Sequence, residues 1–259
     1  MSTQREMTIW DHIGELRNRL LVVAVVFIVG LIAGLYFAGP VVKYLQQTPT
    51  AQTSITSLVS LAPSDALFVY MQFAFLVSVV VTTPVLLYQI WAFVVPGLKL
   101  HEKKVTLAFI PVACLLLIAG LMFGYFVVFP FIIGFMVTIN EELGTPVMWG
   151  LSQYFSFLFN MVIPFGFLFQ MPILVVLLTR LRVINPQRLA KMRRVAYFIL
   201  AFIAVMITPP DFISDIIVII PLFALYEISV LLSRMIYRKQ LKEDEAWERE
   251  YGQSGESVT

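Results

Sequence analysis

Charge is what this chain has least of. Asp, Glu, Lys and Arg make up only 13% of its 259 residues, while 59% are hydrophobic. Soluble domains carry about 25% charged and about 45–50% apolar residues, so a solvated globular surface is excluded. Cysteine is almost missing as well. The single Cys114 lies inside an apolar run, which rules out a disulfide framework and makes it a small packing residue. Histidine occurs twice, as His12 and His101, both beside apolar runs rather than within them. That leaves intramembrane serine–histidine proteolysis and a metal centre without their residues. No G-x-S-x-G, H-E-x-x-H or Walker loop is present, so neither an enzyme nor a cofactor is expected, and nothing points to nucleic acid.

What is abundant is uncharged length. Runs without Asp, Glu, Lys or Arg cover 20–42, 66–98, 105–140, 143–179 and 195–210, and a sixth, 216–233, is interrupted only by Glu227. About 18 apolar residues cross a bilayer, so the chain reads as a polytopic helical membrane protein. The alternating ten-residue segments of a β-barrel are absent from the sequence. The first run is too long for the apolar core of a cleavable signal and has no small-residue cleavage site, so it reads as a retained span.

Basic residues fix the expected topology. Of 18 Lys and Arg residues, 17 fall in four clusters, at 5–19, 99–104, 180–194 and 234–249, with Lys43 the exception. The connections near 140–150 and 208–215 carry only acids: Glu141, Glu142, Asp211 and Asp215. Positive charge marks the cytoplasmic side, so both termini are expected inside, with six spans. These are 20–38, 67–96, 105–132, 152–179, 194–208 and 214–234, forming one membrane domain over 1–238. A charged tail, 239–259, is expected to be disordered. The fifth and sixth spans are short: residues 195–210 rise about 24 Å as a helix against a hydrocarbon core of about 30 Å. Runs two to four are longer than a crossing needs, and Pro84, Pro111, Pro130, Pro164 and Pro172 offer bends. The loop 39–65 reads as part helix and part extended. Internal repeats of the kind common in secondary transporters are not visible.

Ionisable or polar groups at membrane depth are functional candidates by default. Glu227 sits seven residues before Arg234, where it either bonds a neighbouring helix or meets a partner. Gln170 precedes the Pro172 bend, where its amide can satisfy carbonyls that the proline frees. In TPPDFISD, Asp211 can cap the last helix and, with Asp215, form an acidic tip. Gln72, Thr82, Thr83 and Gln89 are the polar exceptions in the second span. On a helix over 9–20, Ile9, Ile13, Leu16 and Leu20 form one apolar stripe, and His12, Glu15 and Arg19 line another face. The plain reading of Glu15 is an i, i+4 pair with Arg19, and of Glu102 a local pair within LKLHEKK. If spans one and two are neighbours, the two carboxylates converge at the cytoplasmic face.

HIGELRNRL, LYQIWAFVVPGLKLHEKK (Leu87–Lys104), FGYFVVFPF, FLFQMPI and TPPDFISD occur in that order. With these motifs the chain, over roughly 10–238, closely resembles the TatC family, the integral receptor subunit of the twin-arginine protein translocase. The resemblance implies a glove-like, concave six-helix fold in a bacterial-type cytoplasmic membrane, without enzymatic activity. It also implies a receptor for twin-arginine signal peptides on folded cargo. Such a receptor recruits TatA-type and possibly TatB-type single-span partners, associates with itself, and works on the proton gradient. By position it assigns Glu15 and Glu102 to the signal-peptide site, with Trp91, Phe93 and Pro96 shaping the adjoining end of the second span. Gln170, Asp211 and Asp215, with Glu227, fall to partner-helix docking. Many family members carry Glu where this chain has Gln170, whose amide bonds but cannot ionise. The runner-up function is a secondary transporter for a small solute, which would need midplane polar residues on several helices.

Overall fold

Two compact units make up the chain, Met1–Gly166 and Phe167–Thr259. The structure, a computed structural model, describes residues 9–46, 58–94, 109–145, 148–208 and 212–251.

In the first unit, α1 (Ile9–Gln46) is one unbroken helix, so the amphipathic turns expected at 9–20 continue directly into the first apolar run. The next helix, α2 (Asp65–Val94), packs along it. Apolar helices gain little from hydrophobic burial inside lipid, so close association depends on small residues that let backbones approach. Gly30, Gly34 and Ala38 provide that stripe at i, i+4 and i+8. A Cβ on Gly34 would lie 2.6 Å from the Cα of Ala74, and one on Gly30 would lie 2.9 Å from that of Ser78. Ser78 Oγ donates to the Phe27 carbonyl at 2.5 Å across the same contact.

The third apolar run folds as α3 (Phe109–Phe123), a π-helical turn (Gly124–Val128) and α4 (Phe129–Glu142). Pro130, in the first turn of α4, has no N–H to give to the preceding turn, and the widened turn sits just before it. Gly144, at φ 67°, ends α4 in the left-handed conformation that glycine tolerates. Two short strands, β1 (Leu58–Val59) and β2 (Trp149–Gly150), pair in parallel. Then α5 (Leu151–Leu168) closes an aromatic core, where Phe73 meets Phe155 and Phe159 edge-on and Phe129 meets Tyr154.

The second unit holds α6 (Met171–Arg180), α7 (Pro186–Lys191), α8 (Arg193–Ile207) and α9 (Phe212–Tyr251). Helix α9 is the spine, packing on α6, α7 and α8. Its buried stripe is Val218, Leu222, Tyr226, Ser229 and Ser233, at helical spacing. Ser233 Oγ shares a 2.7 Å hydrogen bond with Thr179 Oγ1 on α6.

This is an all-α polytopic membrane protein in which, among the described residues, five stretches are long and apolar enough to cross a bilayer. They are Gly14–Leu45, Asp65–Phe93, Phe109–Glu142, Leu151–Arg180 and Phe212–Lys242. The expected fifth span corresponds to α8, whose 15 residues rise about 22 Å. The bend expected at Pro172 is a break in the fourth run at Phe169–Gln170. Two expectations need correction. The sixth helix is not short: α9 runs for 40 residues. Residues 239–251, expected to be disordered, belong to α9, because Leu, Lys, Glu, Ala and Arg are good helix formers and extend a helix already nucleated by packing.

Candidate functional site

The N-terminal turns of α1 place Glu15 and Arg19 on one face, and the guanidinium of Arg19 turns back onto the carboxylate. Its Nε donates to Glu15 Oε1 at 3.1 Å, and Nη2 makes an ion pair with the same oxygen. The pair expected from i, i+4 spacing is present, but it is not merely local. Arg19 Nη1 donates to Gln89 Oε1 and Nη2 to the Ala92 carbonyl, each at 3.2 Å, so the guanidinium ties α1 to the last turns of α2. Among the described residues, Glu15 Oε2 receives no hydrogen bond. Glu15 and Arg19 keep 29% and 22% of their side-chain surface exposed, enough for a ligand to reach the carboxylate.

Trp91 and Phe93 lie in the same last turns of α2. The Trp91 ring is 5.7 Å from that of Tyr88, one turn back, and its indole Nε1 is buried with no hydrogen-bond partner among the described residues. A buried donor left unpaired is costly, so this one favours an incoming acceptor. Glu102 and Pro96 lie outside the described residues.

Within the second unit, the residues expected at a partner-docking surface have internal partners. Glu227 accepts from Arg193 Nη2 at 2.8 Å and from the Tyr197 hydroxyl at 2.5 Å, joining α9 to α8. Tyr197 also stacks on Phe223 at 4.4 Å. Asp215 accepts from Thr208 Oγ1 at 2.5 Å, closing the connection between α8 and α9. Gln170 is buried at the break before α6 without capping its first turn. Asp215 and Glu227 stand about 18 Å apart along α9 and form separate clusters. Asp211 lies outside the described residues.

Sequence reasoning passed over Asp65. Its Oδ2 accepts from the Leu61 and Ala62 amides at 2.8 and 3.0 Å, and Oδ1 accepts from Ser152 Oγ at 2.8 Å. That carboxylate ties the Leu61–Ala62 turn to the first residue of α2 and fastens the start of α5 beside the β1–β2 pair. The Asp two residues after Pro63 is the readable signal for that turn, though not for Ser152. Gln89, noted only as a polar exception, turns out to hold Arg19.

The family model described as "Sec-independent protein translocase protein (TatC)" matches residues 11–221. The chain belongs to the TatC family. TatCy of Bacillus subtilis (strain 168) is 48% identical over 241 residues, covering 93% of this chain and 94% of that protein. TatC of Escherichia coli (strain K12) is 32% identical over 250 residues, covering 95% of each. A crystal structure of the twin-arginine translocase receptor TatC superposes with a TM-score of 0.74 at 33% identity, covering 87% of this chain and 99% of that one. As a TatC family member the chain is a subunit of the Sec-independent translocase and not an enzyme. Membership does not favour the solute-transporter reading.

Proposed function

We propose that this TatC family protein is the signal-peptide receptor of a twin-arginine translocase. It binds the paired arginines of signal peptides on folded cargo where the first turns of α1 meet the last turns of α2, with Glu15 and Glu102 as the recognising carboxylates. The observation that carries this reading is the setting of Glu15. Its carboxylate already holds one guanidinium through Oε1, is braced on α2 through Arg19, and has no partner for Oε2 among the described residues. Arginine forks match fixed carboxylates in a way that lysine ammonium groups cannot. The unpaired Trp91 indole adds a donor for a peptide carbonyl, and Phe93 and Pro96 shape the neighbouring wall.

Both termini lie in the cytoplasm in this reading, with α8 as a short fifth of six spans in a glove-like membrane fold. Bilayer beside α8 thins to meet it. TatA-type and TatB-type single-span proteins dock on the remaining faces, including that of Gln170 and the Asp211–Asp215 connection, and copies of the chain associate. The proton gradient drives transport.

Site-specific crosslinking from positions 15 and 102 tests the site. A peptide bearing Arg-Arg should crosslink strongly and its Lys-Lys counterpart weakly. Equal crosslinking, or full export by Glu15→Ala combined with Glu102→Ala, overturns the assignment.

A further inference from the structure

Two adjoining cavities in the second unit form a strongly basic recess that the receptor reading does not use. The first, about 340 Å³, is lined by Arg182, Arg188, Tyr237 and Gln240 among others. The second, about 330 Å³, shares Tyr237 with it and adds Arg234 and Arg238. Among the described residues lining either cavity, none is acidic. An arginine-bearing signal peptide is therefore repelled here, and an anion is attracted.

Two further observations narrow the ligand. Gln240 is 3% exposed; its Nε2 donates to the Arg180 carbonyl at 2.9 Å, while its Oε1 is buried without a partner among the described residues. A ligand that fits must therefore offer a hydrogen-bond donor as well as negative charge. The recess also sits where two apolar stretches, Leu151–Arg180 and Phe212–Lys242, come to an end, which is headgroup level for a membrane protein. Val183 and Leu241, which line it, remain 67% and 44% exposed, offering apolar surface beside the charges. Arg182 itself adopts φ 60°, at the position after a helix end where glycine is the ordinary occupant. The chain keeps an arginine side chain there despite the conformational cost.

We infer that this recess binds the headgroup of an anionic phospholipid with hydroxyl groups, of the phosphatidylglycerol type. The phosphate takes the arginine forks, a headgroup hydroxyl donates to Gln240 Oε1, and the acyl end lies against Val183 and Leu241.

Full-length protein in neutral detergent should be titrated with phosphatidylglycerol, phosphatidylcholine or inorganic phosphate, following thermal unfolding and lipid retention by native mass spectrometry. Phosphatidylglycerol alone should stay bound and raise the unfolding temperature. Arg188→Gln with Arg238→Gln, both at exposed positions, should weaken that binding roughly thirtyfold and leave lipid-free unfolding unchanged. Arg182→Gly should weaken it too while holding or raising the lipid-free unfolding temperature. Equal stabilisation by inorganic phosphate, equal retention of phosphatidylcholine, or undiminished phosphatidylglycerol binding by the double variant overturns the inference.

Discussion

Arg19 and Gln89, 70 positions apart in sequence, meet at 3.2 Å, and through that bond the first turns of α1 are registered against the end of α2. Arg19 thus holds Glu15 in place as well as marking the cytoplasmic flank of a span. Arg19→Lys keeps the charge and loses the fork that reaches Glu15, Gln89 and Ala92 together. Because the pair is partly exposed, stability should change by no more than about 1 kcal/mol. Crosslinking to an Arg-Arg signal peptide from position 93, which leaves Glu15 in place, should nevertheless fall toward the Lys-Lys level. Unchanged crosslinking would show that Glu15 is positioned without Arg19.

Packing between α1 and α2 sets that registration, and glycines set the packing. Gly34→Leu forces a side chain into the Ala74 backbone, a clash no rotamer relieves, and should cost at least about 2 kcal/mol in thermal unfolding. Gly134, whose added Cβ meets nothing within 4 Å, is the control. Gly134→Leu should leave the unfolding temperature near that of the parent.

What was readable in the sequence follows from which interactions are local. Two helix limits were legible because charge ends an apolar run: the expected 67–96 is close to α2 at Asp65–Val94, and 194–208 to α8 at Arg193–Ile207. The Glu15–Arg19 pair was legible because both residues lie on one helix face. Its extension to Gln89 was not, since it depends on which helix lies alongside. The Gly30–Gly34–Ala38 stripe carried a readable signal at four-residue spacing, and its partner on α2 did not. Tail residues 239–251 misled because polarity predicts solvation rather than conformation. Their helix grows from α9, whose buried stripe reaches Ser233 and whose Gln240 still bonds the Arg180 carbonyl.

Asp65 makes its own prediction, since one carboxylate joins α2 to the start of α5. Asp65→Ala removes the acceptor for two amides and for Ser152 together, and should lower the unfolding temperature more than Ser152→Ala does. In a double-mutant cycle the two losses should be less than additive, because both remove the same Asp65–Ser152 bond. Strict additivity in detergent-solubilised protein would mean that this bond contributes nothing.

Glu227 separates an internal role from a docking role. Its oxygens are shared between Arg193 and Tyr197, so removing it strands a guanidinium and a hydroxyl between α8 and α9. Arg193 and Glu227 keep 38% and 34% of their side-chain surface exposed, so stranding one of them costs only about 1 kcal/mol, but still more than losing both. Glu227→Ala should therefore destabilise the protein more than Glu227→Ala combined with Arg193→Ala, whereas Glu227→Gln, which can still accept from Tyr197, should fall between Glu227→Ala and the parent. A partner-contact role predicts something else: weaker crosslinking of TatA-type helices in every Glu227 variant, whatever its unfolding temperature. Loss of partner crosslinking in Glu227→Gln at parental stability would assign the residue to docking. A stability order that Arg193→Ala reverses, with crosslinking preserved, would assign it to the α8–α9 contact.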